Sequence, residues 1–135
     1  MTVSDYSVLA LHVNKKCNLR CPHCLWYARD KEFFNNEELT VDQAKQIIRY
    51  FHKNEGIRTI RIQSDGEVLL YPGYKELVNF TYSLGCNRQM LVTNGILIDK
   101  YRDFILNKLN VLVSLDGQNF EEYEKIRGGT EKTYH

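Results

Sequence analysis

The feature that most constrains the fold is a repeat: apolar strand-sized runs alternate with helix-sized amphipathic stretches in units of roughly 30 residues. Val8–Val13 (VLALHV) reads as a first strand. Thr40 with Gln43 three residues later forms a capping box, and Val41, Ala44, Ile47, Ile48 and Phe51 recur at helical spacing until Asn54–Gly56 stops them. Ile57, Ile60 and Ile62 mark a second strand ending at Ser64-Asp65-Gly66, and Tyr74–Leu84 a second helix closed by Gly85. Gln89–Val92 reads as a third strand ending at Thr93-Asn94-Gly95, followed by a helix over Asp99–Leu109. Val111–Leu115 is a fourth strand ending at Asp116-Gly117, and Phe120–Arg127 begins a fourth helix. Such alternation implies right-handed crossovers and a parallel α/β sheet whose strands all end on one side. In sheets and barrels of this kind the loops after the strands build the site.

At 135 residues, 43% of them hydrophobic, the chain is sized for one core and one domain over residues 1–135. Its 18 basic and 17 acidic residues nearly cancel, which gives no basic arm for nucleic acid and no polybasic membrane patch. The apolar runs fall far short of the ~20 residues that span a bilayer, and the N-terminus lacks a signal-peptide pattern. A cytoplasmic protein is expected. Three of four cysteines crowd into eight positions, which suits metal binding in a reducing compartment better than disulfides.

Those three, Cys17, Cys21 and Cys24 in CNLRCPHC, offer three thiolates on the loop after the first strand. They can bind three irons of a 4Fe-4S cubane and leave the fourth iron without a protein ligand. The amino and carboxylate groups of S-adenosyl-L-methionine can chelate that open iron, so that one electron cleaves a carbon–sulfur bond and releases a 5'-deoxyadenosyl radical. The plainer alternative is structural zinc, which needs a fourth ligand. Cys86 lies at the opposite end of a parallel sheet, and His23 is wedged between two of the cysteines.

The C-x-x-x-C-x-x-C motif after a first strand resembles the signature of the radical SAM superfamily, and CNLRC-x-HC resembles its peptide-maturing and sulfatase-maturing (SPASM-type) branch. SDGEVLLYPGY is similar to that family's GGEPLL segment, LVTNGILI to its third strand and TNG turn, and VSLDGQNFEEYEKIRGG to its fourth strand and following helix. The resemblance covers residues 8 to 130. It implies a parallel (βα)4 partial TIM-like barrel, truncated relative to the six-stranded radical SAM core.

Position by position, the resemblance implies that Glu67, with the backbone around Asp65 and Gly66, meets the amino group of S-adenosylmethionine. Ser114 and Asp116 would approach its ribose or methionine part, Asn94 would contribute from the TNG turn, and the His23 backbone would lie near the adenine. Asp65 stands where the family has the first Gly of GGE, and Val68 where it has Pro. Trp26 and Tyr27 would shield the cluster or equally cover the end of the barrel, and Lys15, Lys16 and Arg20 form a solvated basic edge that could meet an electron donor or tune the cluster's potential.

The expected activity is radical modification of a peptide or protein substrate, with a reductant such as flavodoxin or ferredoxin. One alternative is an activase that installs a glycyl radical on a partner enzyme; another is a catalytically incomplete cluster- and S-adenosylmethionine-binding fragment or subunit. The open edge of the fourth strand calls for cover by a homo-oligomer or by a partner chain that completes the barrel.

Overall fold

A computed structural model describes residues 8–106 and 108–130. Asn107, inside the stretch expected as the third helix, and the two ends of the 1–135 domain lie outside the described residues. The chain runs β1 (Val8–His12), α1 (Leu25–Arg29), α2 (Val41–Asn54), β2 (Thr59–Gln63), a 3-10 turn (Val68–Leu70), α3 (Tyr74–Ser83), β3 (Met90–Thr93), α4 (Ile98–Leu106), β4 (Asn110–Val113) and α5 (Phe120–Arg127).

The expected βα alternation holds, with strand and helix ends shifted by a few residues. The capping box on α2 is present in full: the Thr40 side chain accepts from the Gln43 amide at 3.2 Å, and the Gln43 side chain accepts from the Thr40 amide at 2.9 Å. Ala44 and Ile48 of α2 and Leu77 and Val78 of α3 are buried against Leu11, Val13, Ile60 and Ile62 of the first two strands. Alternation along β1 does the rest, since Leu11 and Val13 point into this core while His12 stays exposed on the other face. A stretch expected to be loop, just after the third clustered cysteine, folds as α1, a helix of one turn and a half.

The strands are parallel, but the continuous sheet expected from the repeat is replaced by two pairs. β1 pairs with β2 (Val8↔Thr59 to His12↔Gln63), and β3 pairs with β4 (Met90↔Asn110 to Thr93↔Val113). β2 and β3 come close without a ladder between them. Side chains make that join instead. The Glu67 carboxylate, 2% exposed just beyond β2, accepts from the Thr93 hydroxyl at 2.8 Å and the Asn94 amide at 2.8 Å at the end of β3. On the outer edge of β1 the chain returns as an antiparallel bridge, Asn14 to Glu38, with the Leu39 amide donating to Val13 O at 2.9 Å. No helix among the described residues is long and apolar enough to cross a membrane.

Candidate active site

The loop that carries the cysteines is fixed by its backbone. The Glu67 amide donates to Lys16 O at 2.7 Å and the Asp65 amide to Asn14 O at 3.4 Å, so the loop after β2 lies directly on the loop after β1. Gly66 makes that approach possible, because a Cβ there would sit 2.0 Å from Lys16 O. Within the cysteine loop the Arg20 guanidinium donates to Cys17 O and Leu19 O, both at 2.8 Å, and the Cys24 amide donates to Cys21 O at 3.0 Å.

Cys17, Cys21 and Cys24 all line one cavity of about 200 Å³ at the ends of the strands. His23, Asp65, Gly66, Glu67, Asn94 and Ser114 line it too, so nine of the ten residues singled out in the sequence share a single space. The exception is Asp116. It is exposed and stands outside the lining, with Oδ2 2.9 Å from Arg127 Nε.

Several of these side chains are already engaged. Glu67 Oε1 accepts from the Leu69 amide at 3.1 Å as well as from Thr93, which leaves Oε2 with the lighter load. Asn94 gives its Nδ2–H to Asn18 Oδ1 at 2.8 Å and accepts from the Ile96 amide at 3.2 Å, tying the end of β3 to the cysteine loop. The Asp65 carboxylate faces away from the loop backbone to His12, whose Nδ1 is 2.6 Å from Oδ1. His23 turns Nδ1–H to Ile126 O at 2.8 Å. That contact gives its imidazole a packing role between the loop and α5.

Burial pushes the Cys17 thiol above the ordinary thiol range, and the neighbouring Cys21 and Glu67 push it the same way, while the Leu19 backbone and Arg20 pull it down. A thiolate in that setting needs a compensating cation, and three sulfurs around one cavity fit an iron–sulfur cluster. The zinc alternative loses Cys86 as a candidate for its fourth ligand. Cys86 is fully buried at the other end of the sheet, 3.7 Å from His52 Nδ1, where burial raises its thiol as well.

Sequence reading missed several contributors. Arg127 is 7% exposed and lines the cavity; its Nη1 donates to Cys21 Sγ at 3.8 Å and its Nη2 to Ser114 O. Asn18 and Leu19 come from inside the motif itself, and Thr93 directly precedes Asn94 at the end of β3. The helix α1 and the following loop bring Trp26 onto Phe33, stacked at 4.8 Å, and Tyr27 onto Phe34 at 6.5 Å, with Phe34 reaching the cavity. The basic edge is not simply solvated: Lys15 pairs with Glu37 at 2.6 Å, Lys16 with Glu38 at 2.8 Å, and Arg20 folds its own loop. These pairs form because the bridge between Asn14 and Glu38 lays the two acids beside the two lysines.

Comparison with known proteins bears on this site. The family described as the radical SAM superfamily matches residues 11–134. A protein named probable GTP 3',8-cyclase from Archaeoglobus fulgidus is 37% identical over 128 residues, which are 91% of this chain and 40% of that protein. A GTP 3',8-cyclase from Helicobacter pylori is 33% identical over 128 residues, 92% of this chain and 38% of that protein. The chain thus spans about 40% of the length of the curated relatives it matches. A solved structure of TYW1 with a lysine-pyruvate adduct bound shares the fold, with a TM-score of 0.58 at 19% identity over 93% of this chain and 45% of that one. The superfamily expected from the motifs is borne out. The maturase branch is not, since these relatives carry other names.

Proposed function

The chain belongs to the radical SAM superfamily, whose cofactors are a 4Fe-4S cluster and S-adenosylmethionine, and on that premise we propose that Cys17, Cys21 and Cys24 hold the cluster for reductive cleavage of S-adenosylmethionine. When bound, the pair supplies a 5'-deoxyadenosyl radical able to take hydrogen from unactivated carbon. One observation carries the reading: three thiols, the Gly66-Glu67 segment and the ends of β3 and β4 line a single cavity.

The protein's own groups have distinct tasks in it. Glu67 Oε2, with spare acceptor capacity, suits the amino group of S-adenosylmethionine, and the Ser114 hydroxyl suits a sugar or carboxylate oxygen. Asn94 acts by holding the TNG turn against Asn18, and Phe34, stacked on Tyr27, gives the cavity an apolar wall beside the thiols. Asp116 works through Arg127. The strands and helices form the first part of a partial barrel of the TIM type, and a small flavin or iron–sulfur protein such as flavodoxin or ferredoxin supplies electrons.

For the substrate, the relatives' names favour GTP over the peptide or protein expected from the sequence. A second reading has its own support. Leu112 is 54% and Leu115 67% exposed, an apolar surface on and beyond β4 that favours a unit able to bind the cofactors but incomplete for turnover. In that reading a further stretch of chain, a second copy or a partner covers β4.

The test is anaerobic reconstitution with iron and sulfide, metal analysis, then reduction in the presence of S-adenosylmethionine and a search for 5'-deoxyadenosine. Iron uptake lost on replacing Cys17, Cys21 or Cys24 with Ala, and kept on replacing Cys86, is the expected pattern. Zinc uptake with no iron would sink the proposal. Cluster without deoxyadenosine selects the second reading, and consumption of GTP only with added deoxyadenosine formation selects the first.

A further inference from the structure

We infer that Arg127 is a positioning residue that hydrogen-bonds the Cys21 sulfur and raises the reduction potential of the cluster on the loop; the inference rests on the cluster reading of the site. Three consecutive residues at the end of α5 meet the cysteine loop. Ile126 O accepts from His23 Nδ1 at 2.8 Å, Arg127 Nη1 lies 3.8 Å from Cys21 Sγ, and Gly128 packs so tightly that a Cβ would stand 2.9 Å from Arg20 O. Gly128 also has a φ of +64°, which ends the helix with a left-handed residue and lets the chain turn away after making this contact.

The guanidinium is spread over two structural elements. Nη2 donates to Ser114 O beyond β4, while Nη1 faces the sulfur on the β1 side, a division that suits a planar fork and not an ammonium. Nε is 2.9 Å from Asp116 Oδ2 but lacks the alignment of a hydrogen bond. The pair is asymmetric, with the Arg127 side chain 9% and the Asp116 side chain 47% exposed. Water screens the carboxylate more than the guanidinium, so net positive potential falls on the buried side, toward Cys21.

A positive N–H donor at a ligand sulfur stabilises the reduced, more negative cluster over the oxidised one. Loss of the donor therefore lowers the potential. Loss of Asp116 does the reverse, because it removes the charge that offsets the guanidinium. A side chain that merely props the helix against the loop has no reason to give opposite signs.

The experiment is a potentiometric titration of the reconstituted protein without S-adenosylmethionine, followed by the EPR signal of the reduced cluster, with iron per chain measured on each sample. Arg127→Gln is expected to fall by at least the 59 mV that corresponds to a tenfold change in a one-electron equilibrium. Arg127→Lys should fall less, and Asp116→Asn should rise. Full iron at the wild-type potential in Arg127→Gln overturns the inference, as does an unchanged or lowered potential in Asp116→Asn. If Arg127→Gln retains no iron, the Asp116→Asn result decides alone, since that side chain is exposed. Failure of the wild-type chain to take up iron strikes at the cluster reading itself and is read separately, before any variant is compared.

Discussion

The second and fourth strands make an instructive pair. β2 reads TIRIQ and is half polar, yet Ile60 is 0% and Ile62 2% exposed. β4 reads NVLV and is more apolar, yet all four residues are exposed, with Val111 at 39%, Leu112 at 54% and Val113 at 41%. Both have a parallel partner. What separates them is cover, because α2 and α3 close over the β1–β2 pair, whereas among the described residues β4 pairs with β3 and with no other strand. Burial is a property of neighbours, and a strand's own hydropathy states only what it needs.

That contrast can be broken most sharply in the core. Ile60→Ala should cost about 2–5 kcal/mol in urea unfolding, as a filled and covered site becomes a cavity. Next in size is Gly66→Ala, expected to cost about 1–3 kcal/mol and to lower iron uptake, because the new methyl meets the Lys16 carbonyl and pushes the two loops apart. Glu67→Gln tests the join between the two pairs. Either the amide NH2 confronts the Asn94 N–H or it displaces the bonds from Leu69 and Thr93, at about 1–3 kcal/mol, with faster hydrogen exchange at the Asn94 amide as its local sign.

A smaller effect is expected in alkali. Burial pushes the Tyr74 phenol well above its ordinary value, and Tyr71 and Tyr101 move in the same direction for the same reason. The folded chain keeps protons that the unfolded chain gives up, so stability is intact below about pH 10 and declines above it. Tyr74→Phe should reduce that decline by about 1 kcal/mol near pH 11, measured as the pH dependence of the unfolding midpoint. The smallest change is predicted for Leu112→Ala, within about 0.5 kcal/mol of wild type in this chain. A cost near that of Ile60→Ala would mean that β4 is covered in solution and would abolish the comparison.

The sequence made the elements legible where local chemistry decides them. The Thr40–Gln43 box marks the start of α2, and Phe120–Arg127 is a helix with the bounds expected of it. The site was legible because strand ends of parallel units must face one way, which gathers distant loops without any knowledge of contacts. α1 was not, since its five residues bury nothing and lack a side-chain cap. The missing ladder between β2 and β3 was hidden too, because a period of two identifies a strand and not its partner. Arg127 carried no signal of its own in the sequence, being one more basic residue in a helical stretch, in the last turn where the helix dipole favours it. Only the fold sets it beside a sulfur 106 positions earlier in the chain.

That separation gives the contact between Arg127 and Cys21 a meaning in time as well as in space. The thiols leave the ribosome first, and the helix that clamps their loop follows more than 100 residues later. At the usual pace of synthesis the nascent loop waits roughly 5–20 s for Ile126, Arg127 and Gly128. During that wait the cysteine loop lacks the contacts that Ile126, Arg127 and Gly128 later make with His23, Cys21 and Arg20, so its final shape is set only when α5 arrives.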